Sequence, residues 1–396
     1  MQYSDTNEHI CADCIGNDDL QKWIATWPVG SCSFCDAEHV SVVDFDDLLE
    51  RVEEVIFKHF SRAVDELPQD PEEESGYFGT TFDTQDVLDT LGLDFPGDHD
   101  NEIRGRVWRY FNDHEPWCEL DWTVLDDKAA LVWSWEQFCE AIKHERRFFF
   151  LKSAHNNNDE SEEFDRDHVS FNDLLQQIAT LSEKTGLIKT LPVGTLLYRG
   201  RTYKMGDKPT TALQLGPPPP DMALQSNRMN PPGIPMMYVA DTKACALKEL
   251  GILGVGELAC VASFEVAAPL RILDYSKLPP APGHFSKASR RKILLHQFLR
   301  HFVREIIKPV ARDDRNHLDY LRSQVVTEYL RDYAFVDGSI HGVRYPSTVT
   351  KQGTNVVLFG GPELVDPSPS PWPNDPDNFL RLVAIDGEAV SQDERS

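Results

Sequence analysis

Four cysteines near the start of the chain constrain its folding more than any other feature. Cys11 and Cys14 form one CxxC pair, and Cys32 and Cys35 form a second. Each pair closes a tight turn that points two thiolates at one place, and two such turns at this separation supply four ligands for a tetrahedral ion. Two disulfides are the other outcome open to four cysteines, and a reducing cytosol disfavours them. The opening text MQYSDTNEHICADC is polar and acidic, unlike a signal peptide. No apolar run approaches the roughly 20 residues that span a bilayer. The expectation is a cytoplasmic, non-membrane protein whose residues 1–43 form a module around a structural zinc. With cysteine in all four positions no coordination site stays open, so the metal is expected to fold the module and not to do chemistry.

The remaining length allows two or three domains with cores of ordinary size. Hydrophobic residues make up 41% of the chain, as in folded globular proteins. There are 65 acidic and 39 basic residues, a formal charge of −26, which repels phosphate backbones and argues against a nucleic-acid surface. From Asp44 to about Leu181 the periodicity is helical. Leu48, Val52, Ile56, Phe60 and Val64 recur at four-residue steps, which predicts one continuous helix face. Ser153 to Asp167 is a polar, acidic separator, expected as a solvated loop. After Lys189 strand-like and helical stretches alternate. LPVGTLLYRGR, ACVASFEVAAPLRILDY and VVLFG read as strands, Ser289–Val303 and Leu318–Tyr333 as helices. DPSPSPWPNDPD then reads as a Pro-rich linker before a loosely ordered tail. The predicted division is 1–43 zinc module, 44–188 helical domain, 189–362 α+β domain and 363–396 linker and tail.

Chemistry-bearing residues concentrate in the α+β part. Arg199 and Arg201 close a strand in YRGR. NRMNPPGIPMMYVADTKACALKEL, Asn227–Leu250, brings Arg228, Tyr238 and Glu249 into one loop–strand–helix unit. GVRYPS carries Tyr345 and Ser347, and TNVVLF carries Asn355. Alone each has a bland reading: a surface arginine, a core tyrosine, a solvated helix glutamate, a turn serine.

In this order the blocks closely resemble the RES domain, over about Pro192 to Gly361. SQVVTEYLRDY and the Asp337–Gly338 pair add to the match. The cysteine turns and helices before it are similar, in layout more than in motif, to the HEPN-type domains fused before RES domains. The resemblance implies an α+β, ADP-ribosyltransferase-like fold, a mixed sheet with flanking helices, that acts on NAD, typically as the NAD-degrading toxin of a toxin–antitoxin pair. It carries the family's NAD-binding positions onto Arg199, Arg228, Tyr238, Glu249, Ser347 and Asn355. Glu249, Arg228 and Ser347 become the catalytic set, and Arg201 an extra contact. An antitoxin or regulatory protein is the implied partner, and a homo-oligomer is open.

The residue chemistry agrees with that assignment. Arginine matches pyrophosphate oxygens with bidentate, charge-assisted donors. Cleaving the nicotinamide–ribose bond expels a neutral base and leaves an oxocarbenium-like ring, which a carboxylate stabilises. Tyr238 offers a flat face for nicotinamide, and Ser347 or Asn355 can hold its amide or the ribose. No GxGxxG opens a βαβ unit, so hydride transfer on a Rossmann fold is not expected. Two alternatives remain. One is a HEPN-type ribonuclease using Arg109 and His114. Arg291–His296 and Arg312–His317 match that spacing equally well, so the pattern carries little weight. The other is a non-catalytic interaction protein. Sequence leaves open whether water, phosphate or a protein side chain accepts the ADP-ribose.

Overall fold

Two short strands bring the cysteine turns side by side, and a third strand pairs with both. The computed structural model describes residues 8–70, 76–112, 115–120, 127–147, 169–251, 257–310, 316–367 and 378–388. The first elements are β1 (His9–Cys11), α1 (Asp18–Ile24), β2 (Val29–Ser31), β3 (Glu38–Asp44), α2 (Phe45–His59), β4 (Phe60–Arg62) and α3 (Ala63–Glu66). α4 (Thr84–Thr90), α5 (Asp100–Phe111) and β5 (Trp117–Glu119) follow. The chain then runs through α6 (Asp127–Glu140), α7 (Phe171–Lys184), β6 (Ile188–Leu191), β7 (Leu196–Lys204), α8 (Ala212–Leu215), β8 (Met236–Ala240) and α9 (Lys243–Glu249). Last come β9 (Glu257–Val266), β10 (Leu270–Asp274), α10 (Arg290–Ile307), α11 (Asn316–Asp319), α12 (Leu321–Asp332), β11 (Gly342–Pro346), β12 (Thr354–Phe359), β13 (Val365–Asp366) and β14 (Leu380–Glu388). No described helix is long and apolar enough to cross a membrane.

The chain divides into two compact units, Met1–Ala130 with Pro280–Gln297, and Leu131–Pro279 with Phe298–Ser396. In the first unit α2 buries Leu48, Leu49, Val52, Val55 and Ile56, the i, i+3, i+4, i+7 set of one helix face. Asp46 and Asp47 in its first turn and Lys58 in its last complement the helix dipole. The helix stops at His59, short of the run expected from periodicity. Phe60–Arg62 leaves it to pair with β5, and the Arg62 guanidinium sits 3.4 Å above the Trp117 ring. Phe60 stays buried in that pairing, whereas Val64 is exposed. Phe285, from the segment 280–297, completes this core.

The second unit is α+β, as expected. Its nine-stranded sheet runs β13-β14-β9-β7-β8-β12-β11-β10-β6, and it is mixed: β10–β11 and β13–β14 are parallel, the other pairings antiparallel. Alternation along the strands gives one buried face with Leu197, Met237, Ala262, Phe264, Val356 and Leu358. On the other, α9 packs Cys245 and Ala246 against Ala240 and Val261. Helices α7 and α12 flank the same unit. Leu380–Glu388, assigned by sequence to a tail, is instead a strand on β9. Its text LRLVAIDGE has enough β-branched and apolar residues to complete that edge once the Pro-rich stretch is passed. The acidic separator Ser153–Asp167, Trp122, His114, Arg312 and residues 368–377 of the Pro-rich stretch lie outside the described residues.

One register detail positions everything that follows. β7 and β8 share the single pair Tyr198↔Ala240, whereas β7 pairs with β9 from Leu196 to Lys204. Beyond Tyr198 the two strands part.

Candidate functional site

The parting of β7 and β8 opens a cleft of about 200 Å³. Arg199 and Gly200 line one lip, Tyr238 and Val239 the other, and Tyr345, Asn355 and Glu249 close it.

Glu249 arrives there because of how α9 begins, packs and ends. The Thr242 side chain accepts from the Cys245 N–H at 3.1 Å and caps the start. Gly251, at φ +73°, supplies the left-handed residue that stops it. Between them α9 lies directly on Gly200. A Cβ at that position would sit 2.6 Å from the Ala246 carbonyl oxygen and 2.9 Å from Leu250 Cγ. The glycine of YRG is therefore needed for close approach, not for a turn. Glu249 is the last helical residue, where a carboxylate opposes the dipole by about 0.3–1 kcal/mol. Two donors offset this: Ser347 Oγ–H at 2.8 Å and Asn355 Nδ2–H at 2.5 Å, both onto Oε1. Among the described residues no side chain bonds Oε2. Ser347 is itself held, accepting from the Val349 N–H at 3.2 Å and donating its own N–H to the Gly353 carbonyl at 2.8 Å.

The cations divide differently from expectation. Arg199 is buried, with Nη1 lacking a hydrogen-bond partner among the described residues. Burial, reinforced by the neighbouring charge of Arg201, pushes its pKa down to about 9, so it remains a cation at neutral pH. Arg201 donates to the Gly216 carbonyl at 2.7 Å, and its Nε has no partner among the described residues. Arg228 does not line the cleft. Its guanidinium donates to the Ile306 and Lys308 carbonyls, at 3.0 and 2.9 Å, and lies 5.7 Å from the Tyr320 ring centre. Uncapped carbonyls at the end of α10 attract a cation strongly, and this contact could not be read from the loop's own text. Arg228 still lies near enough to Tyr238 and Tyr345 for its charge to favour their ionised forms. Burial outweighs it and pushes both phenols well above the usual tyrosine range, so both stay neutral donors.

The structure thus gathers five sequence candidates, Arg199, Tyr238, Glu249, Ser347 and Asn355, around one cleft and leaves Arg228 behind its aromatic wall. Sequence reasoning missed the contributions of Tyr198, Gly200 and Leu250 to the lining. Tyr198 and Gly200 flank the arginine in YRGR, so the signal was adjacent, but only the packing of α9 reveals what Gly200 does.

Two family models match the chain. The RES domain model matches residues 199–376, and the HEPN/RES N-terminal domain 1 model matches residues 26–156. The chain is a HEPN/RES fusion. The RES match opens on Arg199 itself, contains every gathered residue, and runs past the predicted boundary at 362. Comparison with curated proteins finds no match.

In the N-terminal part of the HEPN/RES chain, Cys32 and Cys35 fall inside the family match, and Cys11 and Cys14 precede it. Their ligand atoms all lie within 4.8 Å of one another. The Sγ separations are 3.7 Å for Cys11–Cys14, 3.6 Å for Cys11–Cys35 and 3.8 Å for Cys14–Cys32. A tetrahedron with ~2.3 Å metal–sulfur bonds has edges of about 3.8 Å, so the donor set fits a tetrahedral, thiophilic ion. All four are free cysteines, not disulfides. Burial pushes Cys11 up to about 11 and Cys14 further, so without a cation these two thiols hold their protons. The other candidate chemistry of this half gains no support from Arg109, whose Nε donates to the Gly105 carbonyl one turn back in its own helix.

Proposed function

We propose that the RES domain cleaves the nicotinamide–ribose bond of NAD. The observation that carries this reading is the state of Glu249: a carboxylate fixed through Oε1 by Ser347 and Asn355, with Oε2 open to the cleft that Arg199 enters. Two neutral donors orient this carboxylate, and among the described residues no ion-pair partner cancels it. It is preorganised for a cation that develops only in the transition state. As the ribose C–N bond breaks, its electron pair goes to the pyridinium nitrogen and nicotinamide leaves neutral. The ribose is left oxocarbenium-like for capture by water, phosphate or a protein side chain, and Oε2 lies ready for its hydroxyls.

Each remaining residue takes a part in this scheme. Arg199, buried and unpartnered, offers its free Nη1 to an anionic oxygen of the pyrophosphate. Tyr238 gives the base a flat wall. Arg228 adds positive potential from behind that wall. Ser347 and Asn355 hold the carboxylate in place and give the amide or ribose a second set of partners. A cleft of about 200 Å³ is smaller than the roughly 300–1,000 Å³ of pockets for drug-sized ligands, which suits the nicotinamide riboside end and leaves the adenosine outside.

The four cysteines would hold a structural zinc ion that ties β1 and β2 to β3 and supplies folding free energy, with no part in the reaction. The proposed division of the chain keeps the cysteine module and helices before a RES domain that begins at about residue 189. On this reading the protein is an NAD-consuming toxin or defence effector, and an antitoxin or trigger protein is its partner. The test is nicotinamide release from NAD by purified protein, with and without added phosphate. Release is expected, and Glu249→Gln should lower kcat by ~10²–10³ with the fold intact. Equal rates for Glu249→Gln and wild type would remove Glu249 from the mechanism, and no release by wild type would refute the activity.

A further inference from the structure

The Tyr238 wall is held by a device that lies outside the cleft. The Tyr238 hydroxyl donates to Asn230 Oδ1 at 2.6 Å and accepts from the Met229 N–H at 3.2 Å, so its ring is tied to the loop 226–230. That loop carries few backbone contacts of its own beyond the Asn227 N–H to Asn230 carbonyl bond at 3.0 Å. Three of its oxygen acceptors, the Asn230 carbonyl among them, converge on one side chain of α12. Gln324 Nε2 donates to Ser226 Oγ at 2.9 Å, the Asn227 carbonyl at 2.8 Å and the Asn230 carbonyl at 3.1 Å. Ser323, next to it, donates to the Arg228 carbonyl at 2.5 Å. Gln324 and Asn230 are both buried, so water does not replace the bond between them when it is lost.

We propose that Gln324 is a positioning residue for the cleft, acting through the 226–230 loop to hold the Tyr238 ring against the base end of the substrate. No other neutral side chain of that length supplies two N–H donors to a cluster of oxygen acceptors. Gln324→Met keeps length and volume while removing both donors: Ser226 Oγ and the Asn227 carbonyl lose this partner, and the Asn230 carbonyl keeps only the Asn227 N–H. The loop then relaxes, Asn230 and Met229 lose their orientation, and the Tyr238 hydroxyl loses its two partners together. The ring contacts the base in ground and transition states alike, so loosening it weakens binding uniformly and acts on KM more than on kcat.

The inference rests on the NAD reading for its kinetic arm and on geometry alone for its spectroscopic arm. In the kinetic arm, Gln324→Met and Tyr238→Phe should each raise KM for NAD roughly 5–20-fold with kcat within about twofold of wild type. The double variant should be no worse than the poorer single, because both act along one path. KM effects that multiply in the double variant, or an unchanged KM in Gln324→Met, would overturn the proposal. In the spectroscopic arm, chain carrying ¹³C-labelled tyrosine gives a ring signal assigned to Tyr238 by its loss in Tyr238→Phe. That signal should shift or broaden in Gln324→Met, and an unchanged signal overturns the proposal even if wild-type protein releases no nicotinamide. Should Gln324→Met fail to fold, Gln324→Asn retains an amide that is one methylene too short, and the same signal must move in it.

Discussion

Replacing Gly200 with alanine tests how Glu249 is placed more directly than changing Glu249 itself. The new Cβ would meet the Ala246 carbonyl oxygen at 2.6 Å, and ordinary contact begins at 3.4 Å, so α9 must retreat by about 0.8 Å. The obstacle is backbone, so no rotamer change relieves it. Ser347 and Asn355 belong to the β11–β12 hairpin and do not move with α9. A retreat along the Ser347–Glu249 bond stretches it from 2.8 Å to about 3.6 Å, outside hydrogen-bond range. Overpacking of this kind costs about 1–3 kcal/mol of stability, and a misplacement near 1 Å costs on the order of 10² in rate. The expected result is a folded protein, a few degrees lower in Tm, whose nicotinamide release from NAD falls about a hundredfold. Adding Leu250→Ala, which removes only the side-chain contact at 2.9 Å, should not restore it. A folded Gly200→Ala variant with wild-type kcat/KM would refute the reasoning, because it would show that α9 need not lie on β7 for the site to work.

Three further outcomes follow from the same geometry. Arg199→Leu removes a buried, unpartnered cation, so it should raise Tm by about 2–8 °C, equivalent to about 1–2 kcal/mol, while nicotinamide release falls at least a hundredfold; thermal unfolding and turnover measured together check both. Cys14→Ser should lower zinc content from about one ion per chain, measured by elemental analysis, and destabilise the N-terminal unit in denaturant; unchanged metal content would exclude the cysteine site. His59 is buried against His284, ring nitrogens 3.4 Å apart, and burial, then the charges of His284, Lys58 and Arg290, push its pKa from 6.5 down to about 4. The folded state therefore binds this proton less readily than the unfolded state, and stability should decline as pH falls from about 6.5 towards 4. His59→Gln should flatten that decline in denaturation curves at pH 7 and pH 5.

The order of motif blocks was enough to bring Arg199, Tyr238, Glu249, Ser347 and Asn355 together on paper, because each sits in local text distinctive of its own strand, loop or helix. The cysteine cluster was equally legible, since a CxxC turn is local and its geometry follows from its spacing. Alternation and helical period also gave the α+β character of the second unit. Three features were not legible, each for a physical reason. The end of α2 at His59 depends on a strand more than fifty residues away pairing with Phe60–Arg62. β14 exists only because β9 offers it an edge.

The side chain of Arg228 is the clearest case. The sequence determines that a cation occupies that loop. Its direction, towards the carbonyls that end α10 and not into the cleft, is decided by helix ends that only the folded chain brings near. In the same way the sequence determines that a glycine follows Arg199, and the tertiary structure decides why. Covalent spacing fixes which groups can be neighbours along one element; which groups become neighbours across elements is settled by packing, and catalytic distances are distances across elements.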